Sequence, residues 1–348
     1  MNIVPRIRSL ATAVPPFVLD QAEVARQAAS HFAGSFGDFA RLEPVFANAE
    51  IETRYSCVPM AWYGERHSFA ERNRCYIENA VELLAEAALA AIEQAGLQLD
   101  DIGGIVTVSS TGIATPSLDA LLMERLSLRR DAQRLPIFGL GCAGGVVGLA
   151  RTAALARAEP DRNFLFLVVE LCGLTFRNTD FTKSNVVATA LFGDGAAAAV
   201  VGCDGEGFEV TAWGEYTWPN SLDIMGWRVL DDGFGVLFSQ DIPELVRGQV
   251  HEACRGFLER HGLRLADIDT FVCHPGGPKV LDALEEVFGL DAGGLDLSRR
   301  VLKRYGNMSA ATALFVLDEV RRAGRRGTHL MSALGPGFTC GLLTLRAT

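Results

Sequence analysis

Apolar runs and amphipathic segments alternate along the chain and predict strands and helices in turn. Runs typical of strands lie at 6–14, 104–109, the stretch that ends at Phe138, 164–171, 208–217, 270–274, 328–334 and 338–345. The runs at 104–109 and before Phe138 are typical of buried strands. Residues 190–202 indicate the end of a helix, a tight glycine turn and a further strand. Segments with apolar residues at helical spacing lie at 20–32, 68–95, 116–126, 243–261 and 298–323. Two stretches without a regular period are expected to be irregular, 36–67 and 216–227.

A glycine-rich turn follows the apolar run that ends at Phe138. Residues 135–150 read LPIFGLGCAGGVVGLA, so Cys142 stands between glycines at the predicted start of a helix. Backbone N–H groups and the helix dipole at such a position favour a thiolate over a thiol. Strand, turn, cysteine and helix in this order indicate a nucleophile, although a small buried cysteine in a tight turn fits the same pattern.

A repeated heptapeptide indicates that the chain contains two related parts. GLQLDDI at 96–102 recurs as GLRLADI at 262–268, and each copy lies between a predicted helix and a predicted strand. At nearly the same separation, Gly141-Cys142 corresponds to Gly306-Asn307. We infer an internal duplication. The two α/β halves are predicted at 1–205 and 206–348.

Duplication would bring three chemically useful side chains together. His274 ends the apolar strand FVCH before PGGP, and Asn307 precedes a predicted helix. Strand ends and helix starts of open α/β folds meet at their ligand sites, where Cys142, His274 and Asn307 would then converge. A structural interpretation stays open for two of them, since His274 suits a turn and Asn307 suits a helix N-cap.

Composition narrows the classes of function. The net charge of −10 argues against binding nucleic acid, and an anionic ligand would need a local basic patch. The eight cysteines form no CxxC pair, so neither a metal site nor a disulfide framework is predicted. No apolar run is long enough to span a membrane, and the N-terminus MNIVPRIRSL lacks the apolar core of a signal peptide. We expect a cytoplasmic protein that does not bind membranes.

Cysteine, histidine and asparagine together suit two reactions. One is hydrolysis of the papain type, in which the asparagine orients the histidine; the order of the residues fits, but the cysteine-flanking signature of those enzymes is absent. The other is acyl transfer with carbon–carbon bond formation. There the cysteine carries an acyl group, while histidine and asparagine donate hydrogen bonds to a thioester carbonyl. The second reaction suits a duplicated α/β fold better.

Five motifs give the chain a specific resemblance. They occur in the order GLGCAGG, ALFGDGAAA, FVCHPGGP, YGNMSAA and GPGFT. In this set the sequence resembles the type III polyketide synthases, the chalcone synthase-like branch of the thiolase fold, from about Pro5 to the C-terminus. The resemblance implies an α/β, thiolase-like fold of two αβαβα-layered halves. It also implies a homodimer, coenzyme A thioesters as substrates, and no cofactor or metal.

The same resemblance implies roles for individual residues. Cys142 would carry the acyl group in an ion pair with His274, which would depress the pKa of the thiol, while His274 and Asn307 would promote decarboxylation. Phe192 would be the gatekeeper between the coenzyme A tunnel and the cavity. Thr115 would reach across the dimer interface. Positions that would line the cavity are Ser110, Thr115, Cys172, Val236, Ser309, Gly335, Pro336, Gly337 and Phe338.

The phosphate-binding region departs from the plant enzymes of this family. Of the basic cluster that those enzymes carry, the segment IETRY retains Arg54, which is the candidate phosphate contact. A second basic run, more typical of a solvated helix face, comprises Arg299, Arg300, Lys303 and Arg304. The weak cluster leaves an acyl carrier protein open as an alternative donor of substrate.

Iterative condensation is therefore the predicted function. The enzyme would load an acyl-CoA starter of the fatty acyl class on Cys142, extend it with malonyl-CoA and cyclise the product. The segment YTWPNSLDIMGW is similar to bacterial enzymes that make alkylpyrones or alkylresorcinols. The alternatives are a tetrahydroxynaphthalene synthase that uses malonyl-CoA alone, a ketoacyl synthase III that condenses once, and a catalytically silent partner subunit.

Overall fold

The computed structural model describes residues 3–32 and 43–347. Within these ranges the strands are β1 (Arg6–Ala13), β2 (Phe17–Asp20), β3 (Thr53–Ser56), β4 (Ile102–Val108), β5 (Gln133–Ile137), β6 (Asn163–Leu171), β7 (Asp194–Gly202), β8 (Phe208–Thr217), β9 (Met225–Leu230), β10 (Gly233–Phe238), β11 (Thr270–Cys273), β12 (Gly327–Gly335) and β13 (Thr339–Ala347). The α-helices are α1 (Gln21–Phe32), α2 (Pro44–Ala47), α3 (Phe69–Gln94), α4 (Leu118–Arg125), α5 (Gly144–Ala158), α6 (Lys183–Leu191), α7 (Ile242–Leu245), α8 (His251–Arg260), α9 (Pro278–Phe288), α10 (Asp296–Tyr305) and α11 (Thr312–Arg322).

One sheet of nine strands carries the duplication. Its order is β11-β12-β13-β8-β1-β7-β6-β4-β5. In the first half β4 is parallel to β6, β6 is antiparallel to β7, and β7 is antiparallel to β1. In the second half β11, β12, β13 and β8 repeat these directions in the same order. The halves join where β1 meets β8, with Arg6 opposite Glu209 and Ile7 opposite Phe208. The predicted duplication is therefore visible as a repeated strand order.

Helices form the layers between and outside the two half-sheets. α5 and α11 lie at the centre and contact strands of both halves, in a shared core that includes Val146, Phe166, Leu314 and Met331. α3 and α4 cover the outer face of the first half, and α8 and α9 belong to the core on the outer face of the second. The layers therefore follow one another as αβαβα.

The repeated heptapeptide builds the same local turn twice. The 3-10 turns Leu99–Asp101 and Leu265–Asp267 each lead into a strand. In the first, the backbone N–H of Gln98 donates to the Asp101 carboxylate at 2.8 Å, and in the second the backbone N–H of Arg264 donates to Asp267 at 2.8 Å. A carboxylate three residues after the cap thus fixes both turns, which explains why the aspartate recurs.

Two stretches are more regular than the sequence predicted. In the first, residues 36–42 lie outside the described part of the chain, and the remainder up to 67 contains α2, β3 and a 3-10 turn at Met60–Gly64. β3 pairs with β2, and both strands have four residues, which is too short for a clear hydrophobic period. In the second, the last residues of 216–227 begin the hairpin of β9 and β10.

Three further elements differ from expectation. The run that ends at Phe138 forms β5, which is an edge strand and not a buried one: it pairs with β4 alone, and Phe138 is 60% exposed. The helix predicted at 243–261 is divided into α7 and α8 by a π-helical turn at Val246–Val250. α9 was not predicted from the hydrophobic pattern. The apolar residues at edge strand β5 therefore leave apolar surface exposed to solvent, which is typical of surfaces that bind another protein.

Candidate active site

Cys142 is presented by the turn between β5 and α5. It lies in a short 3-10 turn that runs directly into α5. Gly141 has a φ of +47°, which favours glycine, and a Cβ there would lie 2.6 Å from Pro336. A Cβ on Gly145, in the first turn of α5, would lie 2.1 Å from the carbonyl oxygen of Ala310. The glycines beside the cysteine therefore let the segments of Pro336 and Ala310 approach it closely.

The surroundings of the Cys142 thiol disfavour its ionisation. Its Sγ lies 3.6 Å from Oγ of Ser309, which donates to Oε1 of Glu170 at 3.4 Å. Burial raises the pKa of Cys142 to about 12; the hydrogen bond to Ser309 opposes this effect, and the negative charge of Glu170 adds to it. Cys142 is therefore a neutral thiol at pH 7 in this structure.

His274 follows β11 and is also held neutral. Its backbone N–H donates to the carbonyl of Ser332 at 2.9 Å, and its side chain is buried. Neither ring nitrogen has a hydrogen-bond partner among the residues that the structure describes. Burial lowers the pKa of His274 to about 4. A neutral imidazole with both nitrogens unoccupied can accept a proton at one and donate a hydrogen bond from the other.

The expected ion pair between Cys142 and His274 is not formed in the described part of the chain. We predicted that His274 would depress the pKa of the thiol. Burial instead raises the pKa of Cys142 and lowers the pKa of His274, so it disfavours both the thiolate and the imidazolium. Charge separation in a buried site needs compensating hydrogen bonds, and the contact with Ser309 supplies too little. The prediction was wrong for the resting structure.

Asn307 is fixed on every side by the backbone. It lies between α10 and a 3-10 turn, and its N–H donates to the carbonyl of Leu191 at 2.8 Å, while its own carbonyl accepts from the N–H of Gly193 at 3.0 Å. Its side-chain Oδ1 accepts from the N–H of Ser309 at 2.8 Å, and Nδ2 donates to the carbonyl of Gly276 at 3.2 Å. The second hydrogen of Nδ2 remains available for a ligand.

Cys142, His274 and Asn307 line one cavity, of about 30 Å³, which we call the catalytic cavity. The structure thus brings together side chains from both halves, as the duplication predicted. Much of the remaining wall is apolar and includes Met225 and Phe238. An apolar wall disfavours a carboxylate and favours its loss as neutral CO2.

A second cavity, of about 130 Å³, lies beside Phe192 and Cys172. The rest of its wall comes from α1, from α6 and from the residues around β3 and β6, including Arg54. Its apolar members include Val24, Ala28, Phe32, Met60 and Phe176. We call it the apolar cavity. The half-buried ring of Phe192 packs edge-on against Trp227, with centroids 6.1 Å apart. The gatekeeper role of Phe192 stays a prediction.

Glu170 is the site residue that the sequence analysis did not assign. It lies near the end of β6, is fully buried, and accepts hydrogen bonds from the N–H of Ser110 at 3.0 Å and from the hydroxyl of Thr111 at 2.9 Å. Burial raises the pKa of Glu170 to about 7, and these hydrogen bonds oppose the shift. The signal was present, because a carboxylate that ends the very apolar strand FLFLVVEL must be buried, and buried ionisable groups concentrate at functional sites.

The remaining positions predicted to line the cavity fall into different places. Ser110 is buried and accepts at Oγ from the N–H of Gly141 at 3.1 Å, so it supports the cysteine turn. Thr115 is exposed, and Val236 lies half-buried on β10. Neither Thr115 nor Val236 belongs to the described lining of the catalytic cavity, whereas Ser309 contacts the nucleophile directly.

A loop joins β12 to β13 and packs on the turn that carries the nucleophile. It consists of Pro336, Gly337 and Phe338, and Gly335 is the last residue of β12. A Cβ on Gly335 would lie 2.3 Å from the carbonyl oxygen of Leu140. Phe338 is buried; its ring centroid lies 5.2 Å from that of Trp218, and its carbonyl accepts from the N–H of Trp218 at 3.1 Å. The loop therefore packs against the cysteine turn. None of its residues belongs to the described lining of the catalytic cavity, so its role as a cavity wall stays a prediction.

Arg54 does not face a phosphate site, which corrects the prediction. Its side chain is 3% exposed, and its guanidinium donates to the backbone carbonyls of Thr189 and Phe192 and to the side-chain amide of Gln21. Burial lowers its pKa to about 10. Arg54 also lines the apolar cavity beside Phe192, and its Nε has no hydrogen-bond partner among the described residues.

The second basic run is neutralised by carboxylates. Arg299 pairs with Glu285 at 2.8 Å and with Asp282 at 2.6 Å. The other three members also form ion pairs; these are Arg300 with Asp296 and Glu319, Lys303 with Glu52, and Arg304 with Glu319. The interpretation as a solvated helix face therefore holds, and the run offers little net positive charge.

Neither a metal site nor a membrane-spanning helix is found among the residues that the structure describes. No group of three or more His, Cys, Asp or Glu side chains within 3–32 and 43–347 is arranged to hold a metal ion. Over the same residues, no helix has the length and apolarity needed to cross a membrane.

Comparison with known proteins agrees with this geometry. Residues 7–205 match the family described as "Chalcone and stilbene synthases, N-terminal domain", and residues 211–348 match its C-terminal domain. The chain is 38% identical to a 1,3,6,8-tetrahydroxynaphthalene synthase of Streptomyces peucetius subsp. caesius, over 98% of this chain and 92% of that protein. It is 31% identical to type III polyketide synthase A of Arabidopsis thaliana, over 88% and 83%. The crystal structure of the tetrahydroxynaphthalene synthase from Streptomyces coelicolor A3(2) superimposes with a TM-score of 0.93 at 28% identity, covering 98% of this chain and 99% of that one. The chain therefore belongs to the chalcone and stilbene synthase family, the thiolase-fold type III polyketide synthases, which are acyltransferases that catalyse decarboxylating Claisen condensation.

Proposed function

We propose that the enzyme loads a fatty acyl-CoA starter on Cys142, extends it repeatedly with malonyl-CoA, and cyclises the chain to an alkylpyrone or alkylresorcinol. The apolar cavity carries the proposal for the starter class. It borders Phe192, whose backbone pairs with that of Asn307, and its walls are mainly apolar and aromatic side chains. Such a wall suits an alkyl tail, because each buried methylene contributes about 0.8 kcal/mol.

Loading begins at the neutral thiol. Sγ of Cys142 attacks the thioester carbonyl of the starter, and its proton passes to a ring nitrogen of His274, which has no hydrogen-bond partner in the described structure. The proton then leaves with the thiol of coenzyme A. Because both groups are neutral at rest, the ion pair forms during the reaction and does not precede it.

Extension uses the same cavity. The thioester carbonyl of malonyl-CoA accepts hydrogen bonds from His274 and from Nδ2 of Asn307. As the bond to the carboxylate breaks, CO2 leaves and the electron pair forms an enolate, whose oxygen these two donors stabilise. The enolate carbon attacks the acyl carbonyl on Cys142, and the thiolate departs. The chain, now two carbons longer, is held on coenzyme A and returns to Cys142 for the next cycle.

A homodimer would cover the exposed edge of the sheet. β5 has one strand neighbour, its residues are exposed or half-buried, and Phe138, which follows it, is 60% exposed. An unpaired edge strand with apolar side chains is stabilised by pairing with a second copy. Light scattering of the purified protein tests this, with Phe138→Glu expected to shift the mass towards that of a monomer.

A tetrahydroxynaphthalene synthase is the second candidate. The observation that favours it is the 38% identity to an enzyme of that name over nearly the whole chain. That reaction would use malonyl-CoA alone and would leave the apolar cavity without a long-chain occupant.

Mass spectrometry of products separates these candidates. Purified protein is supplied with malonyl-CoA, with and without a series of acyl-CoA starters of increasing length. Pyrones or resorcinols whose mass follows the added starter support the fatty acyl proposal. A pentaketide naphthalene that is independent of the starter replaces it. A single condensation that requires malonyl-acyl carrier protein would contradict both product classes.

A further inference from the structure

Arg54 is a buried cation at the end of α6. It lies on β3, and its Nη1 donates to the carbonyl oxygen of Thr189 at 2.6 Å and to that of Phe192 at 2.9 Å. Its Nη2 donates to Oε1 of Gln21. The last carbonyls of a helix have no partner inside the helix and carry its negative dipole end, so a guanidinium there satisfies both the hydrogen bonds and the charge.

Gln21 completes this contact from α1. Its Nε2 donates to the carbonyl oxygen of Ala190 at 3.1 Å and to that of Phe46 at 3.1 Å. Arg54 and Gln21 therefore bind three carbonyls in the four residues from Thr189 to Phe192. We call these two side chains the clamp.

The clamped segment is bonded directly to Asn307. The carbonyl of Leu191 accepts from the N–H of Asn307 at 2.8 Å, and the N–H of Gly193 donates to the carbonyl of Asn307 at 3.0 Å. These contacts form a parallel bridge between Phe192 and Asn307. Nδ2 of Asn307, in turn, reaches the loop that follows His274. The position of the Asn307 amide thus depends on the segment that the clamp holds.

We propose that Arg54 and Gln21 are positioning residues, which keep Asn307 and Phe192 in place for decarboxylation. Arg54 also lines the apolar cavity, but both of its Nη atoms are occupied by the contacts of the clamp. The proposal rests on the roles given above to Asn307 and Phe192. It predicts that the clamp affects decarboxylation more than loading, because Cys142 is placed by separate contacts, from Ser110 and the Pro336 loop.

Arg54→Lys tests the proposal. A lysine keeps the charge, but it lacks the planar guanidinium whose separate nitrogens donate to the two carbonyl oxygens and to the amide oxygen of Gln21. Two steps are measured separately: acylation of Cys142 by an acyl-CoA, from the mass of the intact protein over time, and decarboxylation of malonyl-CoA, from release of CO2. We expect acylation to change by less than about threefold, and kcat for decarboxylation to fall about 10- to 100-fold with KM changed less than about twofold.

Two further variants serve as controls. Gln21→Met removes the hydrogen bonds of Gln21 to Ala190 and Arg54 but keeps those of Arg54 to the two carbonyls. It should therefore lower the rate of decarboxylation relative to acylation by a smaller factor than Arg54→Lys does. Arg72→Lys is the matched control: Arg72 is also buried and donates to the carbonyls of Leu174 and Phe176 at 3.0 and 2.6 Å, and it is not bonded to Thr189 to Phe192. It should lower Tm comparably and leave the ratio of the two rates near that of the wild type.

The outcomes are distinguishable. If Arg54→Lys raises KM for every coenzyme A thioester, Arg54 binds the phosphate of coenzyme A, and the proposal is overturned. If both rates fall equally in Arg54→Lys and in Arg72→Lys, in proportion to the loss of Tm, the clamp contributes only to stability, and the proposal is overturned as well. If the wild type itself releases no CO2 from malonyl-CoA, the proposed function fails, independently of the clamp.

Discussion

Ala28→Leu should shorten the starter that the enzyme accepts. Ala28 lies on α1, is 5% exposed, and lines the apolar cavity. Leucine adds three carbon atoms beyond Cβ, which displace about three methylenes of a bound alkyl tail. At about 0.8 kcal/mol for each methylene, the loss for a starter that fills the cavity is about 2.4 kcal/mol, or about 60-fold in kcat/KM. Short starters, which do not reach this wall, should react as they do with the wild type.

The assay is kcat/KM for each member of the starter series at saturating malonyl-CoA. Ala22→Leu is the matched control, because it makes the same exchange on an exposed position of the same helix. We expect the preferred length to fall by about three carbons in Ala28→Leu and to stay unchanged in Ala22→Leu. An unchanged length profile in a folded Ala28→Leu protein would refute the reasoning, and so would an equal loss for every starter.

The remaining predictions concern the catalytic cavity. Alkylation of Cys142 by iodoacetamide should be slow at pH 7 and still rise with pH at pH 10, because burial raises the pKa of this thiol to about 12; a midpoint at or below about 8.5 would contradict the structure. Asn307→Ala should lower CO2 release from malonyl-CoA about 100- to 1,000-fold while Cys142 is still acylated, and equal loss of both steps would argue against its place in the oxyanion site. Glu170→Gln should gain stability relative to the wild type as the pH rises from about 4.5 to 7. Over that pH range the carboxyl group of Glu170 is protonated in the folded protein, where its pKa is raised to about 7, but ionised in the unfolded chain, so the wild type becomes less stable as the pH rises. The glutamine variant lacks this loss. Tm values of the two proteins that change in parallel with pH would refute the prediction.

The nucleophile and its partners could be predicted because local sequence specifies them. Glycines around Cys142 are required by positive φ and by close approach of neighbouring segments, and these requirements leave a visible motif. The repeated heptapeptide, with its capping aspartates, revealed the duplication, and the duplication placed His274 and Asn307 beside Cys142. The cysteine turn could be predicted because its contacts require glycines at adjacent positions, and the convergence of the three side chains could be predicted because the heptapeptide is repeated.

The errors concern properties that depend on burial across the chain. Arg54 was expected at a phosphate, since the segment IETRY carries no sign that Gln21 and the end of α6 enclose its arginine. The sign of the pKa shift at Cys142 was wrong for the same reason: a helix start favours thiolate, but the burial of the thiol among distant parts of the chain outweighs that effect. The exposure of β5 was missed because the apolar residues 135–138 suit an edge strand as well as a core strand, and only the strand order shows that β5 lies at the edge.

Intact-protein mass spectrometry after a brief incubation with one acyl-CoA tests the central claim most directly. The account predicts one acyl adduct on the wild type, located at Cys142 and absent from Cys142→Ala, and predicts that added malonyl-CoA removes this adduct as a product lengthened by two-carbon units. An adduct that persists in Cys142→Ala, or one that malonyl-CoA neither extends nor releases, would contradict it.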